Sequence, residues 1–281
     1  MSLSRRSLIV SAGGLVVASA AGCAGKGAGA AAPGNAVASI EYPAMAAHRG
    51  GLALYPESTM VAFESIVRNY PHAVLEMDVR TLRDGRLVVF HDSSVGRVAT
   101  NSKARVSDLD SQQWRALRIA DPQGGPAQPP VFLDEVLQRF GGTERVLMIE
   151  RKGATDLRTF MDVLRPFRSQ VILQDFERSK AESMTAAGFK VVQLTGKGTP
   201  KIIPGVYALG VASDAITNEL CERAHEQDTV VWAWGDDVVF KDPQLLSLGV
   251  DGFIVNDPSR SILIQLPDER AKPQLQTAAK R

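Results

Sequence analysis

The stretch AVLEMDVRTLRDGRLVVFHD occupies residues 73–92 and carries the pattern from which the fold class follows. It contains two short apolar runs, which we expect to be strands at 73–80 and 87–91. The pair Asp84 and Gly85 between them is typical of a tight turn between antiparallel strands. The stretch therefore predicts a β-hairpin.

Similar apolar runs recur along the chain, and amphipathic helical patterns lie between many of them. Alternating strands and helices over about 230 residues favour parallel βα units, and a closed barrel is the commonest solution at this size. We therefore expect an α/β fold, a somewhat irregular (β/α)8 TIM barrel. The expected strands, one more than such a barrel needs, lie at 44–48, 73–80, 87–91, 146–151, 171–175, 190–194, 206–211, 229–234 and 252–255.

Residues 92–130 break this alternation. They are polar and contain four prolines, and they show no clear barrel strand. We expect a loop-rich insertion here, with one short helix around Ser111–Leu117. Before the hairpin, a helical pattern follows Ser58, which we expect to be the N-cap of that helix.

The overall composition excludes several classes of protein. The chain has 281 residues, of which 44% are hydrophobic and 22% charged, proportions that allow a large buried core. Its 32 Lys and Arg residues balance 31 Asp and Glu residues, so there is no electrostatic reason to bind nucleic acid. Two cysteines are too few for a disulfide scaffold or a Cys-rich zinc module. The sequence shows no sign of an obligate protein partner.

The first 22 residues form a distinct leader. Arg5 and Arg6 precede a charge-free run from Ser7 to Gly22, which is too short for a transmembrane helix of ~20 apolar residues. The run is typical of a bacterial signal peptide, and the arginine pair resembles the twin-arginine export signal. The small residues before Cys23 resemble a relaxed lipobox, in which Cys23 would be the lipidated first residue. The alternative is a cleaved Ala-rich signal peptide with an incidental cysteine.

These features predict four segments. They are a signal peptide at 1–22, a flexible Ala- and Gly-rich tether at 23–39, one barrel domain at 40–267 and a polar tail at 268–281. We expect an exported, extracytoplasmic lipoprotein of a bacterium, held at the membrane by its N-terminal lipid anchor.

Polar residues stand at the ends of several expected strands. Glu76 and Asp78 are two residues apart, so both carboxylates point to one face of their strand. In a parallel barrel the carboxyl ends of the strands converge on a single mouth. The residues that would share this mouth are three carboxylates, two imidazoles, an arginine and a lysine: Glu76, Asp78, Glu150, His48, His91, Arg49 and Lys152.

This combination of side chains predicts a chemistry. Three convergent carboxylates repel one another unless a cation holds them together, and ligands that are all oxygen favour Mg²⁺ or Ca²⁺ over zinc. Arginine and lysine beside that cation suit a phosphate group. Two histidines fit general acid and base catalysis near neutral pH. The residues therefore indicate hydrolysis of a phosphate ester.

At these positions the chain resembles the glycerophosphodiester phosphodiesterase family, which belongs to the phospholipase C-like phosphodiesterases with a TIM barrel. The resemblance covers nearly the whole region 44–258 in order and spacing. The matching segments are His48-Arg49-Gly50, Pro56-Glu57-Ser58-Thr59, Glu76-Met77-Asp78, 84–92, 131–137 and Glu150-Arg151-Lys152, and more faintly Gln174-Asp175-Phe176, Trp232-Ala233-Trp234 and 249–252.

The resemblance implies a role for each matching residue. His48 and His91 would be the acid–base pair, and Glu76, Asp78 and Glu150 would bind the metal. Arg49 and Lys152 would contact the phosphate, and Trp232 would contact the glycerol or alcohol portion. Glu57 would brace Arg49 or the surroundings of the metal. The implied cofactor is one divalent cation, Mg²⁺ or Ca²⁺. The implied mechanism has two steps, attack by a neighbouring substrate hydroxyl and then opening of the cyclic phosphate by water.

The implied activity is metal-dependent hydrolysis of glycerophosphodiesters to an alcohol and glycerol 3-phosphate. A phosphodiesterase of the lysophospholipase D or sphingomyelinase D type, which releases a cyclic phosphate, is an alternative. An alternative of another class is a lipoprotein that binds a phospholipid or phosphodiester without cleaving it. The family's Thr-Val-Asn run is replaced here by Ala233-Trp234-Gly235. This change favours a more apolar alcohol, such as a lysophospholipid.

Overall fold

The computed structural model describes residues 35–196, 198 and 200–264. Cys23, the expected signal peptide and the expected polar tail lie outside these residues. The described strands are β1 (Ala44–Ala47), β2 (Val74–Thr81), β3 (Leu87–Val89), β4 (Leu147–Arg151), β5 (Val171–Asp175), β6 (Lys190–Thr195), β7 (Ala208–Ala212), β8 (Val230–Trp234) and β9 (Gly252–Val255). The described α-helices are α1 (Met60–Asn69), α2 (Ser111–Arg115), α3 (Leu133–Phe140), α4 (Leu157–Leu164), α5 (Arg178–Ala186), α6 (Asn218–His225) and α7 (Val238–Ser247).

Eight of these strands form a closed parallel barrel. Their order is β1-β9-β8-β7-β6-β5-β4-β2, and a pairing between β1 and β2 closes the ring. The remaining strand, β3, pairs antiparallel with β2 across the turn at Asp84 and Gly85. The expected barrel and the expected hairpin are both confirmed, and β3 is the ninth strand that the barrel does not use.

The alternation of side chains along each strand divides the core into two layers. On β2, Leu75 and Met77 point outward into the layer between barrel and helices. Val74 points inward and packs with Met148 and Ile172 inside the barrel. Since the inward positions of a strand are two residues apart, the next inward positions on β2 lie nearer its carboxyl end and are occupied by acidic residues.

The insertion packs with neighbouring residues into an apolar cluster separate from the two layers of the barrel core. Phe90, Trp114 and Phe132 are buried there together, and the guanidinium of Arg86 lies 3.5 Å from the centre of the Phe132 ring. The regular structure of the insertion consists of α2, the 3-10 turns Val95–Arg97 and Val106–Asp108 and a few isolated bridges, as expected for a loop-rich insertion. Its helix α2 ends at Arg115, two residues before the expected end.

Helices α1, α2, α4 and α6 begin at polar side-chain caps, and the cap of α1 differs from the expectation. Thr59, not Ser58, caps α1, because its hydroxyl accepts a hydrogen bond from the Ala62 N–H at 3.3 Å. Ser58 instead has a positive φ of 56° in the turn before the helix. Within the part of the chain that the structure describes, no helix has the length and apolar character needed to cross a membrane.

Candidate active site at the carboxyl ends of the strands

Three carboxylates meet inside the barrel where β2 and β4 end. Asp78 and Glu150 are register partners on these adjacent strands, and Glu76 lies two residues before Asp78 on the same inward face. One oxygen from each carboxylate lies within 4.8 Å of the others, and all three side chains are buried. A single cation can bridge oxygens at this spacing.

Asp78 shows that the cluster fits a cation. Neither of its oxygens accepts a hydrogen bond from any described residue, although Arg49 Nε lies 3.4 Å from one and Lys152 Nζ lies 3.3 Å from the other. Buried carboxylate oxygens are otherwise almost always paired, because removing them from water without a partner is costly. Oxygens that lack a hydrogen bond and face other carboxylates match a hard divalent ion such as Mg²⁺ or Ca²⁺.

The protonation of the cluster depends on burial and on Asp78. Burial, followed by the charge of Asp78, raises the pKa of Glu150 to about 7 and raises the pKa of Glu76 well above its ordinary value. Burial also opposes ionisation of Asp78, but nearby cationic groups, led by Lys152, hold the pKa of Asp78 below its ordinary value. The two glutamates therefore need additional positive charge to ionise fully at neutral pH.

Arg49 and Lys152 hold the glutamates in place. The backbone N–H of Arg49 donates to Glu76 Oε2 at 2.8 Å, and Lys152 Nζ lies 2.7 Å from Glu150 Oε1. Arg49 sits in a tight turn with a φ of 51°, directly before Gly50 at φ 80°. A Cβ at Gly50 would lie only 2.9 Å from Ala62, so glycine lets this turn pack against α1.

His48 follows β1 and is held by a chain of polar groups. Its Nδ1 lies 2.6 Å from Oδ1 of Asn256, and Nδ2 of Asn256 donates to Asp236 at 3.1 Å. Burial, followed by the charge of Arg49, lowers the pKa of His48 to about 4. The ring is therefore neutral at physiological pH and has a neutral amide as its partner.

His91 has a carboxylate as its partner. Its Nδ1 lies 2.7 Å from Asp92 Oδ1, while Asp92 Oδ2 accepts from Arg97 Nε at 2.6 Å. The two terminal nitrogens of Arg97 donate to Glu57 at 2.7 and 2.6 Å. Glu57 is buried and also lies 3.4 Å from Nη1 of Arg49, the residue it was expected to brace. Through these hydrogen bonds, Arg97 connects two parts of the site: the turn that contains Glu57 and the segment that contains His91.

A cavity of about 300 Å³ opens at this end of the barrel. Its lining includes every polar residue expected at the mouth except Asp78, which is fully buried behind the others. The polar lining consists of His48, Arg49, Glu76, His91, Glu150, Lys152, Gln174 and Asp236, and the remaining lining consists of Phe176, Leu194, Trp234, Gly235 and Ile254.

Trp232, expected at the alcohol portion of the substrate, does not line this cavity. It is fully buried in the inner apolar layer of the barrel, with its ring edge-on to Tyr42 at 6.2 Å. Trp232 and Trp234 point the same way because they lie two residues apart on β8. Trp234 is nearer the carboxyl end of the strand, so it lines the cavity and Trp232 lies below it. Of the two tryptophans, Trp234 is therefore the one whose side chain lines the cavity.

Asn256, which contacts His48, and Arg97, which holds the Asp92 partner of His91, were not among the expected site residues. Asn256 follows Val255 at the end of β9, so a search for polar residues after every strand would have included it. Arg97 lies in the insertion, where no strand or helix pattern signals a role, and its contacts come from the tertiary fold.

The barrel and its mouth define a class of protein. Carboxylates spaced for a divalent cation, cationic side chains suited to phosphate, and a pair of imidazoles are the groups that a phosphoric diester hydrolase requires. A model of the glycerophosphoryl diester phosphodiesterase family matches residues 48–260, and the chain belongs to that family.

Individual relatives agree with this membership. The chain is 26% identical over 236 residues to glycerophosphodiester phosphodiesterase GDPD4 of Arabidopsis thaliana, a match to 77% of this chain and 71% of that protein. It is 25% identical over 244 residues to a glycerophosphodiester phosphodiesterase of Bacillus altitudinis, a match to 78% of this chain and 96% of that protein. An Oleispira antarctica phosphodiesterase, solved in complex with the product sn-glycerol-3-phosphate, has a TM-score of 0.65 at 18% identity and matches 78% of this chain and 95% of that chain. This last likeness shows a shared barrel fold.

Proposed function

We propose that this protein hydrolyses glycerophosphodiesters to an alcohol and glycerol 3-phosphate, with one divalent cation as cofactor. One observation carries the proposal: three buried carboxylates converge beside two imidazoles in one cavity, and neither oxygen of Asp78 accepts a hydrogen bond from a described residue. Family membership supports the same reaction. So does the product bound by the Oleispira antarctica phosphodiesterase, sn-glycerol-3-phosphate.

Glu76, Asp78 and Glu150 would hold the cation, since each offers a buried oxygen to the same point. When bound, the ion would neutralise charge that develops on the phosphoryl oxygens. Mg²⁺ and Ca²⁺ both accept oxygen ligands, and they differ in bond length and in the number of ligands they take. Titration of metal-free protein with each ion distinguishes them.

The hydrogen bonds of His48 define its tautomer. The carboxylate of Asp236 can only accept, so Nδ2 of Asn256 faces Asp236 and Oδ1 faces His48. Nδ1 of His48 then carries the proton, and Nε2 is free to accept another. A neutral ring with a free Nε2 is a general base.

His91 is suited to the opposite role. The carboxylate of Asp92 stabilises the protonated form of the ring, and Arg97 holds that carboxylate in position. The pKa of His91 is lowered by burial first and also by Arg49 and Lys152, while Asp78 and the hydrogen bond to Asp92 oppose this shift and favour the protonated ring. Two imidazoles whose partners favour different protonation states divide the work into base and acid.

The reaction then follows in two balanced steps. His48 Nε2 takes the proton of a glycerol hydroxyl, whose oxygen attacks phosphorus, while His91 gives its proton to the departing alcohol oxygen. Water next adds to the cyclic phosphate; His91 accepts a proton from the water, and His48 returns its proton to the glycerol oxygen. Arg49 and Lys152 would contact the phosphate oxygens throughout. One water is consumed, and both histidines regain their starting states.

Phosphorus NMR of glycerophosphocholine incubated with the protein and either Mg²⁺ or Ca²⁺ tests the proposal. We expect glycerol 3-phosphate as the final product and loss of metal-dependent turnover in His48→Ala and His91→Ala. His72→Ala is the matched control, because His72 is exposed and does not line the cavity. Undiminished turnover in His48→Ala would overturn the mechanism.

The same spectra separate the alternatives. A cyclic phosphate that accumulates and is not opened would indicate a phosphodiesterase of the lysophospholipase D or sphingomyelinase D type. Tight binding of the diester with no turnover under either metal would indicate a binding lipoprotein. Both outcomes contradict complete hydrolysis.

We further propose that the chain is exported and anchored to the membrane through a lipid on Cys23. The support is the order of the leader, with Arg5 and Arg6, then an uncharged run, then small residues directly before Cys23. Mass spectrometry of the mature N-terminus, and fractionation of a Cys23→Ser variant, test this. A mature chain that begins elsewhere, without lipid, would refute it.

A further inference from the structure

The strands divide the mouth of the barrel into two halves. The half formed by β4, β2 and β1 supplies most of the charged groups of the cavity, including Glu150 and Arg49. The half formed by β5, β6, β8 and β9, or by the residues that follow them, supplies its large apolar side chains. Those side chains are Phe176, Leu194, Trp234 and Ile254, named below as the apolar wall. Strands β5 to β9, with β7 between β6 and β8, are contiguous in the barrel, so the large apolar side chains lie on one side and most of the charged groups lie on the other.

The apolar wall runs from the interior to the solvent. Ile254 and Leu194 are only 4% and 5% exposed, whereas Phe176 is 49% exposed at the rim. Phe176 and Trp234 meet edge to face, with ring centres 5.7 Å apart. A half-exposed aromatic ring at the rim of a cavity marks a surface that gains by being covered.

The wall begins close to the groups that face the phosphate. Lys152 Nζ lies 6.0 Å from the centre of the Phe176 ring, so a substituent a few bonds from phosphorus reaches the wall. Polar groups on this half are few. Asp236 already accepts a hydrogen bond from Asn256, and Gln174 is the other polar side chain that this half contributes to the lining. A bare polyol therefore finds few hydrogen-bond partners along the wall.

We propose that the apolar wall binds the hydrocarbon chain of a single-chain glycerophosphodiester, so that the preferred substrate is a lysophospholipid. This inference rests on the proposed function, since it assumes that the charged half holds a phosphodiester. A linear chain fits a strip that leads from a buried floor to an exposed rim, whereas a compact alcohol would cover only part of it. Each methylene group that the wall buries strengthens binding by up to roughly fourfold.

The test compares glycerophosphocholine with a series of short-chain lysophosphatidylcholines, all kept below their micelle concentrations. We expect kcat/KM to rise along the series and to exceed that for glycerophosphocholine by about tenfold or more. Phe176→Ala and Trp234→Ala should reduce this dependence on chain length. Phe240→Ala is the matched control, because Phe240 is 64% exposed, stacks with Arg260 and does not line the cavity.

The outcomes separate the inference from the proposed function. If neither diester is cleaved, the proposed function fails. If glycerophosphocholine is cleaved and chain length has no effect, or has an effect only above the micelle concentration, the inference fails and the proposed function stands. Inhibition of the wild-type protein by alkylphosphocholines of increasing length is a second measurement that needs no variant. Inhibition that does not strengthen with length would also overturn the inference.

Discussion

Replacing Asn256 by aspartate tests whether His48 is the general base. In the native protein a neutral amide oxygen lies 2.6 Å from His48 Nδ1, and burial keeps the pKa of that ring at about 4. Asn256→Asp adds a negative charge beside the ring with almost no change in volume. At about 4 Å and an effective dielectric constant of about 20, this attraction is worth about 4 kcal/mol, or up to about three pKa units.

The sign of the effect follows from the role of the ring. A general base acts in its neutral form, so activity falls as the pH drops through the pKa of His48. The added carboxylate favours the protonated ring and raises the pKa of His48. The acid limb of the kcat/KM profile should therefore move to higher pH, by as much as about three units.

The assay is the pH profile of glycerophosphocholine hydrolysis at saturating metal, repeated at a higher metal concentration. A limb caused by loss of metal shifts with metal concentration, and a limb caused by His48 does not. Asn256→Ala is the control, because it removes the orienting acceptor without adding charge. It should lower kcat across the profile and leave the acid limb where it is or lower. An unshifted acid limb in Asn256→Asp would refute the assignment of His48 as the base.

Three further predictions concern the metal, His91 and stability. Burial and Asp78 raise the pKa of Glu150 to about 7, so metal binding should release protons and the affinity for the metal should rise with pH up to about 7. Calorimetry measures both effects, and Glu150→Gln should remove part of the proton release. Arg97→Ala should lower kcat by about tenfold, because His91 loses the support of its carboxylate partner, and an unchanged kcat would count against this role. Asp175→Ala removes the carboxylate that lies 2.6 Å from Nε of the buried Arg151. It should lower the unfolding free energy, measured in urea, by about 3 kcal/mol, and Asp175→Asn should lower it less.

The barrel could be predicted because its signals are local. Short Val- and Ile-rich runs alternate with amphipathic helices, and the turn at Asp84 and Gly85 marks the one antiparallel pair. The same alternation explains why Glu76 and Asp78 were expected together, since a period of two places both on one face. The rule that strand ends converge then brings them to Glu150 without further information.

Depth inside the barrel could not be predicted in the same way. The alternation along β8 places Trp232 and Trp234 on the same face, but only the register against neighbouring strands sets which of them reaches the cavity. The N-cap of α1 lies one residue after the predicted position for a related reason. Ser58 takes a left-handed conformation in a turn packed between elements, and Thr59 is left to accept the first helical N–H.

The sequence by itself determined the class of fold, the inward face of each strand and the inventory of acids, bases and cations at the mouth. These depend on periodicities of a few residues, which the chain displays locally. Only the tertiary structure decided that Asn256, which follows the last strand, is the partner of His48, and that Arg97 from the insertion holds Asp92, the partner of His91. It alone also showed that most of the charged lining and the large apolar side chains occupy opposite halves of the mouth. Contacts between residues far apart in the chain depend on barrel closure and strand register, and no local pattern records either one.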